Sequence, residues 1–235
     1  LLMYCSALSS DTEIRVQHPT SRPYIDLTIE TIRQFNGVIE YKKNSSFLIQ
    51  GNQKIKAATV VLEGDWSNMS FHLVGAALHG EIIVSGLNTS SSQGDQIILN
   101  VLEKFGANIG STTSNEIKVS SAGKNPIHID LTDAPDLFPV LSVLACGAIG
   151  VSKLFGTERL LNKESNRLQS ICDMLEVFKV RFQLEENCLH IEGSGAVYGG
   201  NVKTYNDHRM AMAAICAGTI AENEIVIDNE ECINK

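Results

Sequence analysis

The chain repeats one pattern in Gly64–Phe71 (GDWSNMSF), Pro135–Val140 (PDLFPV) and Asn206–Met212 (NDHRMAM). The aspartates that align these segments, at positions 65, 136 and 207, are 71 residues apart. Each aspartate is followed by an apolar stretch containing small residues, and then by a short run typical of a strand. Because small side chains let helices approach closely, the pattern predicts three helices buried against one another.

A second set of three helices is predicted between the first three. Ile25–Phe35, Gln96–Phe105 and Arg167–Phe178 have apolar residues at helical spacing and charged residues on the other side. Each ends in phenylalanine and leads into two short runs typical of a β-hairpin. One repeat therefore reads β-α-β-α-β-β, which is longer than the roughly 20–50 residues of solenoid repeats and predicts a globular α/β (α+β repeat) fold.

The repeat also predicts a domain boundary. Residues 1–62 supply the later part of one unit, whereas residues 63–235 supply about two and a half consecutive units. We therefore expect one partial lobe, most of a second lobe, and a hinge near Leu62–Gly64. Neither Leu1–Tyr4 nor Cys232–Lys235 resembles a natural terminus with a polar tail or a clear cap, which predicts a part of a longer protein.

Composition narrows the class of function. The net charge of −8 argues against a general nucleic-acid binder, and an acidic protein binds anions only where its cations are concentrated. The longest uncharged run, Leu137–Ser152, has 16 residues and is too short for the roughly 20 of a bilayer span. Six cysteines without a Cys-x-x-Cys pair are expected to be reduced core residues, which favours the cytoplasm.

Lys163–Leu168 (KESNRL) is the sharpest candidate anion site. At a helix start, Lys163 and Arg167 would face the same way, and backbone N–H groups would add to their attraction for phosphate or carboxylate. Glu164 would lie among these cations. A solvated first turn with an ordinary salt bridge explains the same residues.

Asn206–Met212 is the second candidate. His208 and Arg209 stand at the start of a buried helix and could hold an anion there. A helix cap accounts for Asp207 but does not account for Arg209.

Asp136 occupies the repeat position of the other two aspartates, so all three could be helix caps. If instead the three buried helices point their N-termini at one cleft, Asp136 would join Lys163, Arg167 and Arg209. A carboxylate placed there could accept a proton from a substrate hydroxyl.

Two further candidates are weaker. Ser21, in Ser21–Tyr24 (SRPY), is either a helix cap or part of a binding site, and Lys235 follows a strand as surface lysines often do. The histidines show no spacing typical of metal ligands, and no phosphate-binding loop occurs. We expect neither a metal nor an organic cofactor.

Five motifs together resemble the 5-enolpyruvylshikimate-3-phosphate synthase family, and most closely its bacterial members. The resemblance spans the whole chain, in order and spacing, and implies the enolpyruvyl-transferase-like fold of two lobes, each of three β-α-β-α-β-β units. Asn166 departs from the aspartate usual in the family. The motifs are Ser21–Asp26 (SRPYID), Glu63–Ser67 (EGDWS), Asp133–Pro139 (DAPDLFP), Lys163–Leu168 (KESNRL) and Asn206–Met212 (NDHRMAM).

The resemblance also implies a role for each matching residue. The residues in contact with shikimate-3-phosphate would be Ser21, Tyr24, Asp136 and Lys163. The catalytic residues would be Asp136, as the proton acceptor, together with Lys163 and Glu164. Glu164 would manage protons at the phosphoenolpyruvate methylene. The phosphoenolpyruvate-binding residues would be Arg167, His208, Arg209 and Lys235.

The implied reaction transfers an enolpyruvyl group from phosphoenolpyruvate to shikimate-3-phosphate in aromatic amino-acid biosynthesis, without a cofactor. Both partners are small anions, and we expect a cytoplasmic monomer that binds neither nucleic acid nor membrane. Upstream segments of the family are missing, so this chain alone is expected to be inactive. Two alternatives stay open: the related UDP-N-acetylglucosamine enolpyruvyl transferase, and a non-catalytic lobe of a larger polypeptide.

Overall fold

The computed structural model describes residues 1–42, 46–111, 116–161 and 163–234. The chain divides into two compact units, residues 1–63 with 90–94 and residues 64–89 with 95–235. The main division falls beside the expected boundary, but residues 90–94 associate with the first unit, which the repeat did not predict. The assignment of the two units to two lobes stays a prediction.

The first unit is a three-stranded antiparallel sheet with two helices. The sheet has the order β1-β3-β2, and residues Ile29 and Ile32 of the longer helix pack in one core with the strands. This α-β-α-β-β order matches the later part of a unit. Its elements are α1 (Leu2–Cys5), β1 (Thr12–Arg15), α2 (Arg22–Gln34), β2 (Ile39–Lys42) and β3 (Ser46–Ile49).

The second unit begins with a module that has two helices and three strands. Its strands form an antiparallel sheet of order β4-β6-β5. The predicted helices and hairpin are confirmed here. The elements are α3 (Trp66–Leu78), β4 (Glu81–Ser85), α4 (Ile98–Phe105), β5 (Asn108–Gly110) and β6 (Glu116–Ser120).

The next module contains all six predicted elements. Its sheet has the order β7-β8-β10-β9, with β7 parallel to β8 and the other pairs antiparallel. The β-α-β-α-β-β order is therefore confirmed in this module. The elements are β7 (His128–Asp130), α5 (Phe138–Gly147), β8 (Ile149–Phe155), α6 (Arg167–Val177), β9 (Arg181–Glu185) and β10 (Cys188–Ser194).

The last module is a β-α-β unit. Strands β11 (Gly200–Val202) and β12 (Ile225–Ile227) are parallel and are connected through α7 (His208–Ala217). The three aspartate-led helices α3, α5 and α7 contact one another pairwise, and all ten residues of α5 are buried. The predicted cluster of three buried helices is therefore confirmed. Because each of the three modules contributes one of these helices, the cluster holds the modules of the second unit together.

The six cysteines are free, and five of them are buried. Burial raises the pKa of the Cys146 and Cys216 thiols to about 12. Both side chains are therefore protonated at neutral pH and pack as small apolar groups.

In the described ranges, no helix is both long enough and apolar enough to cross a bilayer.

Gly193 of β10 lies close to the backbone at the C-terminal end of α5, and it gives a test of the fold. A Cβ atom at this position would lie 2.1 Å from the Ala145 carbonyl oxygen and 2.5 Å from that of Ala148. Because both neighbours are backbone atoms, we expect Gly193→Ala to lower the free energy of unfolding by about 3 kcal/mol. Urea unfolding followed by circular dichroism measures this loss.

Gly218→Ala is the matched control. Its backbone φ is −57°, and a Cβ atom there meets nothing within 4 Å among the described residues. We expect the free energy of unfolding of this variant to equal that of the wild type or to exceed it by up to about 1 kcal/mol. Equal unfolding midpoints for Gly193→Ala and the wild type would contradict the close contact of β10 with α5.

Candidate active site

The three repeated aspartates have two different roles. Asp65 and Asp207 cap α3 and α7, accepting hydrogen bonds from the backbone N–H groups of Ser67 at 2.8 Å and Arg209 at 3.0 Å. Asp136 lies in the 3-10 turn Pro135–Leu137 that precedes α5, and its side chain caps neither element. The cap explanation is therefore correct for two aspartates and wrong for Asp136.

Asp136 instead contacts three cations. Its Oδ1 accepts hydrogen bonds from Lys163 Nζ at 3.1 Å and from Arg167 Nη1 at 2.8 Å, and its Oδ2 lies 3.3 Å from Arg209 Nη2. Burial alone would raise the pKa of Asp136, but the charges of Arg209, Lys163 and Arg167 outweigh it and lower the pKa below the ordinary value. Asp136 is therefore ionised at neutral pH. The structure brings together the four residues that the sequence placed in one cleft.

Arg167 lies on the buried side of this cluster. Its side chain is fully buried; Nε donates to Asp207 Oδ2 at 2.9 Å, and Nη2 donates to Glu164 Oε2. With Nη1 on Asp136, the guanidinium joins three carboxylates. Burial would lower the pKa of Arg167, but the hydrogen bond and charge of Asp207, with the charges of Glu164 and Asp136, raise it. Arg167 is therefore a permanent buried cation that holds the carboxylates together.

The helical spacing expected for Lys163 and Arg167 is wrong. Helix α6 begins at Arg167, so Lys163 precedes the helix and lies in a bend. The two side chains converge because both bond to the same oxygen of Asp136. Asn166, the departure from the family pattern, is the N-cap of α6, where its side-chain oxygen accepts a hydrogen bond from the Gln169 N–H at 3.3 Å.

The cap gives a stability test at Asn166. Asn and Asp are about equally good N-caps, whereas alanine leaves the helix N–H without that acceptor. We expect Asn166→Ala to lower the free energy of unfolding by about 1 kcal/mol and Asn166→Asp to leave it within about 0.5 kcal/mol. Parallel urea titrations measure both. A loss as large for aspartate as for alanine would show that the amide has another structural role.

Arg209, in the first turn of α7, is a cation with unused donors. Its side chain is 10% exposed, and Nη2 donates to Ser67 Oγ at 3.1 Å as well as facing Asp136. Its Nε and Nη1 are buried and have no hydrogen-bond partner among the described residues. Because buried donors without acceptors are costly, this arrangement indicates a place for an oxygen-rich ligand. His208, the first residue of α7, is half-buried beside it.

The cluster is buried on one side and exposed to solvent on the other. The side chains of Arg167 and Asp207 are 0% exposed, whereas those of Asp136, Lys163 and Glu164 are 20%, 23% and 47% exposed. A separate groove of about 510 Å³ between α3 and α7 is lined mainly by apolar side chains and does not contain these charges. An anion would therefore reach the cluster from its solvent-facing side. Within the described ranges, no group of His, Cys, Asp and Glu side chains is arranged to hold a metal ion.

The other predicted residues belong to the first unit or fall outside the described ranges. Ser21, in the first unit, occupies the N-cap position of α2 with φ 54°, but its side chain makes no capping hydrogen bond within the described part of the chain. Tyr24 lies in the first turn of α2 and is half-buried. Lys235 falls outside the described residues.

Sequence reasoning missed two partners in the cluster. Asp207 was interpreted as a cap, but it also accepts hydrogen bonds from Arg167 and from Ser165 Oγ, the latter at 3.1 Å. Ser67 was assigned no role, although it contacts Arg209. The signal was the repeat itself, because both residues belong to segments that align with Asp136.

Comparisons with known proteins agree on one family. The family model described as EPSP synthase (3-phosphoshikimate 1-carboxyvinyltransferase) matches residues 1–235. The 3-phosphoshikimate 1-carboxyvinyltransferase of Brachyspira hyodysenteriae is 36% identical over 92% of this chain and 51% of its own length. That of Clostridium acetobutylicum is 39% identical over 90% of this chain and 49% of its own length.

A solved structure supports the fold. EPSP synthase from Acinetobacter baumannii superimposes with a TM-score of 0.81 and 23% identity, over 99% of this chain and 55% of that one. The chain thus spans about half the length of the relatives it matches. With the enolpyruvyl-transferase-like fold and the match over its whole length, the chain belongs to the EPSP synthase (3-phosphoshikimate 1-carboxyvinyltransferase) family.

Proposed function

We propose that this chain takes part in the transfer of the enolpyruvyl group from phosphoenolpyruvate to shikimate-3-phosphate, giving 5-enolpyruvylshikimate-3-phosphate and phosphate. The observation that carries the proposal is the contact of one ionised carboxylate, Asp136, with three cations, one of which has two buried unused donors. Two anionic substrates repel each other, and a cationic site offsets that repulsion. The names of the curated relatives support the same reaction.

The arrangement suggests a division of roles around Asp136. The unused N–H groups of Arg209 and the ammonium of Lys163 bind phosphate or carboxylate oxygens. Asp136 accepts the proton of the substrate hydroxyl as that oxygen bonds to the central enol carbon. The methylene carbon takes a proton in the same step from Glu164, which lies at the solvent-exposed side of the cluster and acts here in its carboxylic acid form. The tetrahedral intermediate then expels phosphate, which takes the proton held by Asp136, and the methyl group returns a proton to Glu164, which restores the enol double bond.

The remaining residues complete the proposed substrate contacts. His208 and Lys235 join Arg209 at phosphoenolpyruvate, and Ser21 and Tyr24 of the first unit contact shikimate-3-phosphate. Arg167, which the resemblance assigns to phosphoenolpyruvate, is fully buried with its nitrogens bonded to Asp136, Glu164 and Asp207, so its proposed contribution to phosphoenolpyruvate binding is made through the carboxylates it holds. We further propose that the protein is a cytoplasmic monomer, in keeping with its free thiols.

Complementation tests the proposal. The chain is mixed with the portion of a relative that it does not cover, and phosphate release from phosphoenolpyruvate is followed with either shikimate-3-phosphate or UDP-N-acetylglucosamine as acceptor. We expect release that requires the mixture and shikimate-3-phosphate. Phosphate release with UDP-N-acetylglucosamine but not with shikimate-3-phosphate would support the related UDP-N-acetylglucosamine enolpyruvyl transferase. If neither acceptor gives phosphate release and calorimetry detects no binding of shikimate-3-phosphate or phosphoenolpyruvate, the chain is a non-catalytic lobe and the proposal fails.

A further inference from the structure

Ser67 lies between the first and last modules of the second unit. It is buried in the first turn of α3, and its hydroxyl donates to Asp65 Oδ1 at 2.8 Å. A guanidinium can only donate, so the Ser67 oxygen accepts the hydrogen bond from Arg209 Nη2 at 3.1 Å. Asp65 thus fixes the direction of the hydroxyl, and the hydroxyl presents a lone pair to Arg209.

The hydrogen bond between Ser67 and Arg209 counteracts the attraction of the Arg209 guanidinium to the Asp136 carboxylate. Arg209 Nη2 lies 3.3 Å from Asp136 Oδ2, whereas Nε and Nη1 have no hydrogen-bond partner in the described ranges. An arginine and a carboxylate favour a bidentate pair in which two guanidinium nitrogens are used. Such a pair would consume a donor that is now unused. Ser67 holds Nη2 from the α3 side and so restrains the guanidinium from turning onto Asp136.

We propose that Ser67, oriented by Asp65, is a positioning residue that keeps Arg209 Nε and Nη1 available for the carboxylate or phosphate oxygens of an anionic substrate. The identity of that substrate as phosphoenolpyruvate rests on the proposed function. The restraint on Arg209 does not depend on it. The two ideas can therefore be tested separately.

The first readout needs no substrate. In Ser67→Ala the backbone N–H that Asp65 caps is retained, and only the hydroxyl is removed. Without the hydroxyl, Arg209 can turn into a bidentate pair with Asp136, and such a pair hinders rotation of the guanidinium. We therefore expect slower rotation about the Nε–Cζ bond, measured by nitrogen-15 exchange NMR of the Arg209 side chain. Ser142→Ala is the matched control, because the hydroxyl of this buried serine donates to the Phe138 carbonyl of its own helix.

The second readout is kinetic and uses the chain in the complemented assay. We expect Ser67→Ala to raise the KM for phosphoenolpyruvate about tenfold, in line with loss of one hydrogen bond to a charged group. The KM for shikimate-3-phosphate should change less than twofold, as should both constants in Ser142→Ala. A general loss of structure would not separate the two substrates.

The outcomes distinguish the inference from the proposed function. Slower rotation in Ser67→Ala together with no turnover in the wild type contradicts the proposed function but supports the positioning role of Ser67. Turnover in the wild type with rotation and KM in Ser67→Ala equal to those of Ser142→Ala overturns the positioning role. If Ser67→Ala does not fold, Ser67→Cys replaces it, since sulfur nearly fills the volume but is a weak acceptor, and the same two changes are expected.

Discussion

Arg167→Ala is expected to lower the free energy of unfolding by about 3–5 kcal/mol, the loss typical when one partner is removed from a buried ion pair. The guanidinium is fully buried and bonds Asp136, Glu164 and Asp207. Its removal leaves the fully buried Asp207 with a charge that no other ion pair among the described residues offsets. Urea unfolding followed by fluorescence of Trp66, which is buried in the same unit, measures the loss.

The size of this loss should depend on pH. In the wild type the pKa of Asp136 is lowered, so its ion pairs stabilise the fold above the ordinary aspartate pKa and are lost as the pH falls through the folded-state pKa. In the variant, Asp136 lacks the Arg167 charge and takes up a proton at higher pH. We therefore expect the difference between variant and wild type to be largest near neutral pH and to shrink below about pH 4.

A surface arginine provides the control. Arg181 Nη2 lies 2.7 Å from Glu192 Oε1, but the two side chains are 83% and 45% exposed. Exposed ion pairs contribute about 0–1 kcal/mol, so Arg181→Ala should unfold nearly as the wild type does. Equal losses in the two arginine variants, or a loss in Arg167→Ala that does not change with pH, would contradict the role of Arg167 as the centre of a buried network.

The fold was largely predictable because the repeat gives three independent views of one module. Helical spacing located α2, α4 and α6, and small apolar residues located α3, α5 and α7. Sequence did not predict that residues 90–94 would associate with the first unit, since this depends on tertiary contacts and not on local pattern. Nor did it predict that α6 would begin at Arg167, because the polar residues before it suit a first turn as well as a bend.

The site was predictable in its members but not in its connections. The repeat placed Asp136, Arg167 and Arg209 near one another, and their convergence confirms that part of the reasoning. Which carboxylate bonds which nitrogen depends on side-chain positions that spacing cannot give. Asp207 illustrates this limit, because one residue serves both as the cap of α7 and as the buried partner of Arg167.

Asp136→Asn is expected to reduce turnover in the complemented assay about 10²–10⁴-fold, the usual contribution of a positioned acid or base. The amide has nearly the same shape and still accepts hydrogen bonds from Lys163 and Arg167, but it cannot take the hydroxyl proton. Because the variant also loses a charge that faces the cations, we expect phosphoenolpyruvate to bind at least as tightly as in the wild type. A large fall in kcat without a rise in KM is the expected signature.

The lowered pKa of Asp136 makes it a weak base before substrate binds, and the structure indicates how this changes. The cations that lower the pKa include Lys163 and Arg209, the same groups that would bind the substrate anion. When their charge is shared with a bound phosphate or carboxylate, less of it stabilises ionised Asp136, and the pKa rises. The acid limb of kcat should therefore lie at higher pH than the acid limb of kcat/KM for phosphoenolpyruvate, since the first reports the bound enzyme and the second the free enzyme.

Asp133→Asn is the matched control, because it makes the same chemical change at an exposed aspartate three residues away. Its turnover should stay within twofold of the wild type, and its pH profiles should be unchanged. If Asp136→Asn keeps more than a tenth of wild-type turnover, Asp136 is not the base, and the cluster serves only to bind anions. If the two acid limbs coincide in the wild type, substrate binding does not relieve the cationic field on Asp136, and proton transfer must use a group other than this carboxylate.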